Sequence, residues 1–136
     1  MYQRIMVPLD GSELAQSALP HALAICRAFG ATLLLLYVRD PRLGSVEAAR
    51  RHLEYVRDQQ AASGVPIEIL VREGPVAAAI VDTVAEERID MITMATHGRS
   101  GLQRAVYGSV AEQVLRSSSV PVLLVRVPGA IVERPA

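Results

Sequence analysis

Residues 31–38 read Ala-Thr-Leu-Leu-Leu-Leu-Tyr-Val, with four consecutive leucines and no charge. A strand with one wet face alternates apolar and polar side chains. A short run this continuously apolar predicts a strand buried on both faces, as in a parallel sheet covered by helices. Ile5 to Leu9, Ile89 to Ala95 with Asp90 near its start, and Pro121 to Val127 with Arg126 as its one charge are further apolar runs. Ile67 to Val71 instead alternates with Glu68 and Arg72, which predicts a strand nearer an edge.

Helix-period segments separate these runs. Ser12 is placed to cap a helix with Glu13 in its first turn, and Leu14, Ala18, Ala22, Ile25 and Phe29 recur at helical spacing, joined by Leu19 and Cys26, up to Gly30 as C-terminal cap. Val46, Ala49, Leu53 and Val56 form the stripe of a second helix, whose other face carries Arg50, Arg51, Glu54 and Arg57; Gly64 and Pro66 close it. Gly74-Pro75 starts a third, with Ala77, Ile80, Val81 and Val84 inward. Residues 96–107 read as a loop. Gly108-Ser109 then opens a fourth helix with Val110, Val114 and Leu115 inward. The predicted order is β-α-β-α-β-α-β-α-β: an α/β fold with a five-stranded parallel sheet and helices on both faces. Residues 1–128 read as a single domain and 129–136 as a C-terminal tail. A chain of 136 residues is one domain's length.

Composition removes several function classes. The 14 basic residues, all arginine, balance 14 acidic ones, which argues against a nucleic-acid or anionic-membrane binder. Without lysine there is no Schiff-base chemistry and no GxxxxGK[ST] phosphate loop. A single cysteine, Cys26, excludes an intrachain disulfide and a cysteine metal cage; on the inward stripe of its helix it is expected to be inert. His21, His52 and His97 are far apart, so no metal site is expected. No run reaches the ~18 apolar residues of a membrane span, and Met1 to Arg4 lead directly into a strand. The expectation is a cytoplasmic protein without membrane or nucleic-acid partners.

In an open α/β sheet, ligands bind beyond the carboxyl ends of the strands, where strand order reverses. Two strand ends here carry polar and glycine chemistry: Pro8-Leu9-Asp10-Gly11-Ser12 and Ala95-Thr96-His97-Gly98-Arg99-Ser100-Gly101, the second followed by Gly108-Ser109-Val110. If the first and fourth strands are neighbours, both loops open into one crevice. Glycines admit close backbone approach, and free amides at a helix start favour an anion. That combination suggests phosphate, although glycine and serine are also ordinary turn residues.

At these residues the chain resembles the universal stress protein family over nearly its whole length. RIMVPLDGSELAQSALPHAL is similar to that family's first strand and helix, and SVPVLLVRV to its final strand. The family's nucleotide signature is Gly, two residues, Gly, nine residues, Gly, then Ser or Thr. Gly98, the nine residues Arg99 to Tyr107, and Gly108-Ser109 match its later part; Ala95 stands where the first glycine falls. The resemblance implies the adenine nucleotide alpha hydrolase-like, Rossmann-like fold with strand order 3-2-1-4-5, which sets strands one and four side by side.

It also implies roles. Asp10 would accept hydrogen bonds from ribose hydroxyls, Val38 would meet adenine with its backbone, and Pro8 and Leu9 would line the pocket. Gly98 and Arg99 would bound the phosphates, and Gly108, Ser109 and Val110 would present amides and the Ser109 hydroxyl to the phosphate tail. Met94 and Ala95 complete the binding set. Arg99 and Arg104 are the nearest candidates for charge neutralisation.

The plainer alternatives are a turn or cap role for Asp10, an N-cap role for Ser109, and a structural or ligand-adjacent His97, which has no triad partner. Tyr107 either faces ligand or packs. The expected function is a small ATP-binding stress-response module, with Mg²⁺ as an accompanying ion or AMP or another adenine nucleotide as ligand. It would act as a homodimer through strand 121–127, an apolar run that both faces of the sheet would cover; its protein partner is not legible. The alternatives are a non-nucleotide interaction protein on the same fold, or a slow ATPase. No catalytic or metal-binding residue stands out.

Overall fold

The computed structural model describes residues 1–97 and 106–127. Its elements are β1 (Arg4–Leu9), α1 (Glu13–Gln16), α2 (Leu19–Phe29), β2 (Thr32–Arg39), α3 (Val46–Gln59), β3 (Ile67–Glu73), α4 (Val76–Glu86), β4 (Met91–His97), α5 (Val106–Ser117) and β5 (Val122–Val127). The strands form one sheet in the order β3-β2-β1-β4-β5, every pairing parallel. The chain walks outward from β1 to β3, crosses back, and continues from β4 to β5. Right-handed crossovers therefore place α2 and α3 on one face and α4 and α5 on the other.

The apolar runs bury as their patterning demands. In β1, Ile5, Met6 and Val7 are sealed from solvent, as are Leu33, Leu35 and Leu36 in β2. Edge strand β3 is only half-buried. At the end of the sheet opposite the crevice, Asp90 Oδ2 accepts from the amides of Gln3 (2.7 Å) and Arg4 (2.9 Å). Arg4 in turn donates to the Glu87 carbonyl at 2.7 Å and to Glu68 at 3.0 Å.

Several expectations are corrected. The segment from Ser12 to Gly30 is two helices, not one. Pro20 has no N–H and its ring would meet the carbonyl of residue 16, so the first helix stops at Gln16 and Pro20 sits in the opening turn of the second. Gly30 does cap the end, at φ 68°. Phe29 is 51% exposed; it falls at the last helical position and meets Tyr2 edge-on, with ring centroids 5.1 Å apart. Val46, at the first position of α3, is exposed. Pro75 is the N-cap of α4 rather than its first residue, and Val81 is only half-buried. Leu115 turns outward, because Val110, Ala111 and Val114 already fill the inward stripe of α5.

β5 also departs from expectation. None of its residues is fully buried, and Leu123 is 37% exposed. An edge strand has a neighbour on one side only, so its apolar side chains remain partly wet.

Candidate functional site

The strand order reverses between β1 and β4, where an opening is expected beyond the strand ends. The Gln3 carbonyl accepts from the Thr32 amide on β2, and the Arg4 carbonyl accepts from the Asp90 amide beside β4. Backbone groups alternate along a strand, so residues 4, 6 and 8 of β1 address β4. The β1–β4 register comprises Ile5–Met91 and Met6–Ile92, whereas β1–β2 pairing continues to Leu9–Tyr37. The next donor toward β4 would be residue 8, and proline has no N–H. Pro8, in the sheet's central strand, thus leaves out one rung toward β4 where the strand order reverses. Thr93, the first β4 residue beyond the last rung, is fully buried with a hydroxyl that has no hydrogen-bond partner.

Asp10 stands at the β1 lip of this opening, exposed. Its Oδ1 accepts from the Ser12 amide at 2.9 Å and from the Ser12 hydroxyl at 2.6 Å. Ser12 Oγ accepts from the Ala15 amide at 3.2 Å and so caps α1. The turn role is therefore real, yet both bonds fall on one carboxylate oxygen, and Oδ2 takes part in neither. Gly11 holds φ +91°, a value that glycine adopts without strain.

Across β2, the ladder with β1 ends at Tyr37, one residue before Val38. The same alternation directs the Val38 carbonyl past the end of β1. Val38 also lines a groove of about 400 Å³ with Asp40, Pro41, Arg42, Gly74, Pro75 and Val76. At its rim, hydrogen bonds from Arg42 hold the Asp40 carboxyl down at about 2. Asp40, Arg42 and Tyr37 were not legible as site residues, because nothing in their spacing distinguishes them from loop and strand residues.

On the β4 side, Met94 and Ala95 are sealed from solvent, so their side chains belong to the core. Pro8, Leu9, Val38 and Val110 are buried as well. α5 opens at Val106, earlier than expected. Gly108 and Ser109 are its third and fourth residues, so Ser109, which is exposed, is not the N-cap. Both lie in the first turn, whose amides have no acceptor within the helix itself. Gly98, Arg99 and Arg104 lie outside the described residues, as do the side chains of His97 and Tyr107. Cys26 is buried, and burial pushes its thiol up to about 11, as an inert core cysteine requires. Among the described residues, no group of three or more His, Cys, Asp or Glu could hold a metal ion. No helix there is long and apolar enough to cross a membrane.

An open parallel sheet that reverses order in this way, with helices on both faces, is a doubly wound, Rossmann-like domain. The chain belongs to the universal stress protein family, whose sequence pattern matches residues 1–126. It is 34% identical to universal stress protein MJ0531 of Methanocaldococcus jannaschii, over 94% of this chain and 84% of that one. Among solved structures, protein MJ0577 of the same organism superposes with a TM-score of 0.80 at 28% identity, covering 96% of this chain and 99% of the other. A universal stress protein in complex with cAMP superposes with a TM-score of 0.77, also at 28% identity, covering 92% and 97%.

Proposed function

We propose that this protein binds an adenine nucleotide in the crevice between β1 and β4 and acts as a nucleotide-dependent stress-response module. The observation that carries the reading is the reversal of strand order between β1 and β4, with an Asp10 carboxylate oxygen outside the turn's own bonds just past the end of β1. A carboxylate oxygen suits a ribose diol, since both hydroxyls donate. The Val38 carbonyl suits an exocyclic amino group. The first turn of α5, around Gly108 and Ser109, suits phosphate through its amides. Gly98 and Arg99 would close the phosphate end. Ala95, which replaces a signature glycine, does not contradict the reading, because its methyl is buried in the core. The cAMP complex of the related protein supports an adenine nucleotide in particular; ATP with Mg²⁺ and AMP are the ligands proposed.

The test is mass spectrometry of ligand released by denaturing freshly isolated protein, together with melts in ATP with Mg²⁺ and in AMP. An adenine nucleotide should be recovered, and the melt should rise. A ligand at ~100 times its Kd adds about 2.7 kcal/mol, several degrees for a domain of this size. Gly108→Val should abolish the rise by adding bulk beside the first-turn amides. No recovered nucleotide and an unmoved melt would leave a non-nucleotide interaction protein as the better reading.

We further infer a homodimer through β5. Half-exposed apolar side chains on an edge strand are an association hazard unless another strand covers them. A second copy pairing edge to edge would satisfy both strands under two-fold symmetry.

A further inference from the structure

Tyr37, near the end of β2, brings an aromatic ring against the Asp10 turn. Its hydroxyl donates to the Asp10 carbonyl at 3.5 Å. That is long for an O–H···O bond, so the hydroxyl adds direction more than strength. The ring supplies the rest. A Cβ built on Gly11 would lie 3.4 Å from the hydroxyl and 3.9 Å from Cε2, so the ring edge lies directly against that residue. Behind it, His52 of α3 meets the ring edge-on, with centroids 5.9 Å apart and planes at 76°. His52 Nε2 is buried without a hydrogen-bond partner.

The chain of contact therefore runs from α3 through His52 and Tyr37 to the Asp10–Gly11 peptide. That peptide otherwise depends on the Ser12 bonds and on a left-handed glycine, both local and exposed. We infer that Tyr37 is a positioning residue: it fixes the Asp10–Ser12 turn, and thereby the carboxylate oxygen offered to ribose hydroxyls. The consequence for ribose rests on the nucleotide reading above. The consequence for the turn does not.

Two measurements separate these. Hydrogen exchange of the Ser12 amide, bonded to Asp10 Oδ1, in the ligand-free protein reports the turn alone. The ratio of affinities for AMP and 2′,3′-dideoxy-AMP reports what the turn does for ribose hydroxyls. Tyr37→Leu should speed exchange at the Ser12 amide by about tenfold and cut the AMP preference by about fivefold, the scale of one ordinary hydrogen bond. Tyr37→Phe, which keeps the ring, should recover most of both. It should still exchange about twofold faster than wild type, so it carries the test should the leucine variant fail to fold. A change in overall stability alone would move the two affinities together and leave their ratio untouched. Wild-type exchange in both variants overturns the positioning role. Faster exchange with an unchanged ratio overturns only its link to ribose. Wild-type protein that binds neither nucleotide overturns the nucleotide reading, and with it the ribose link, while the exchange result still decides the turn.

Discussion

Gly11 shows how a single residue carries a site's geometry. Its φ of +91° costs an L-residue about 1–2 kcal/mol. Gly11→Ala should therefore lose about that much stability, measured by urea unfolding, and a loss under ~0.3 kcal/mol would mean the turn relaxes. Asp10→Ala should weaken ribonucleotide binding more than triphosphate binding, because its assigned partner is the ribose. Equal losses by calorimetry would contradict that assignment. Asp40 gives a pH prediction. Its carboxyl is held at about 2 against an ordinary 3.8 by Arg42. A depressed folded pKa contributes stability above the unfolded value, and the contribution is lost as pH falls through the folded one. NMR titration should place the Asp40 midpoint near 2, and Arg42→Ala should return it toward 3.8. Cys26, pushed up to about 11, should resist alkylation at pH 8 until the protein unfolds.

At the scale of elements, two prolines set boundaries. Pro20 divides what the apolar period presents as one helix. Pro8 interrupts the central strand's ladder at the reversal of strand order. Pro8→Ala restores a donor that the register aims at the Thr93 carbonyl. A new backbone bond contributes about 1 kcal/mol net, and losing proline's restriction of the unfolded chain costs about 0.4–1 kcal/mol. The two nearly cancel, so stability is a poor readout. Hydrogen exchange is a better one: the amide that the substitution introduces should be protected. Rapid exchange of that new amide would show that the Thr93 carbonyl does not accept from it.

For the whole molecule, β5 is the open question that the sheet order poses. Its apolar side chains are half-wet, and Arg126 is its one charge. Leu124→Arg places a second charge on the strand and should yield monomers by sedimentation, with the fold checked by circular dichroism. Wild-type protein sedimenting as a monomer at micromolar concentration would remove the dimer from the proposed function.

The local sequence determined the elements and their alternation. Leu33 to Leu36 could be buried only between two layers, and Gly30 could end only a helix. The spacing from Gly98 to Gly108-Ser109, with the first strand's Pro8 to Ser12, made the family legible before any coordinates. These are short-range facts, because periodicity and backbone restriction act within a few residues. What the tertiary structure decided is long-range. The β1–β4 register revealed that Pro8 falls where the next rung would need its amide. The edge position of β5 left wet a strand whose composition reads as covered, and a full inward stripe turned Leu115 outward. Tyr37 reaches the Asp10 turn from 27 residues away, and His52 supports it from another helix. Side-chain neighbours of that kind depend on which strands pair and which helix lies over them. No local pattern encodes that, because the free energy that selects it is shared across the whole buried core.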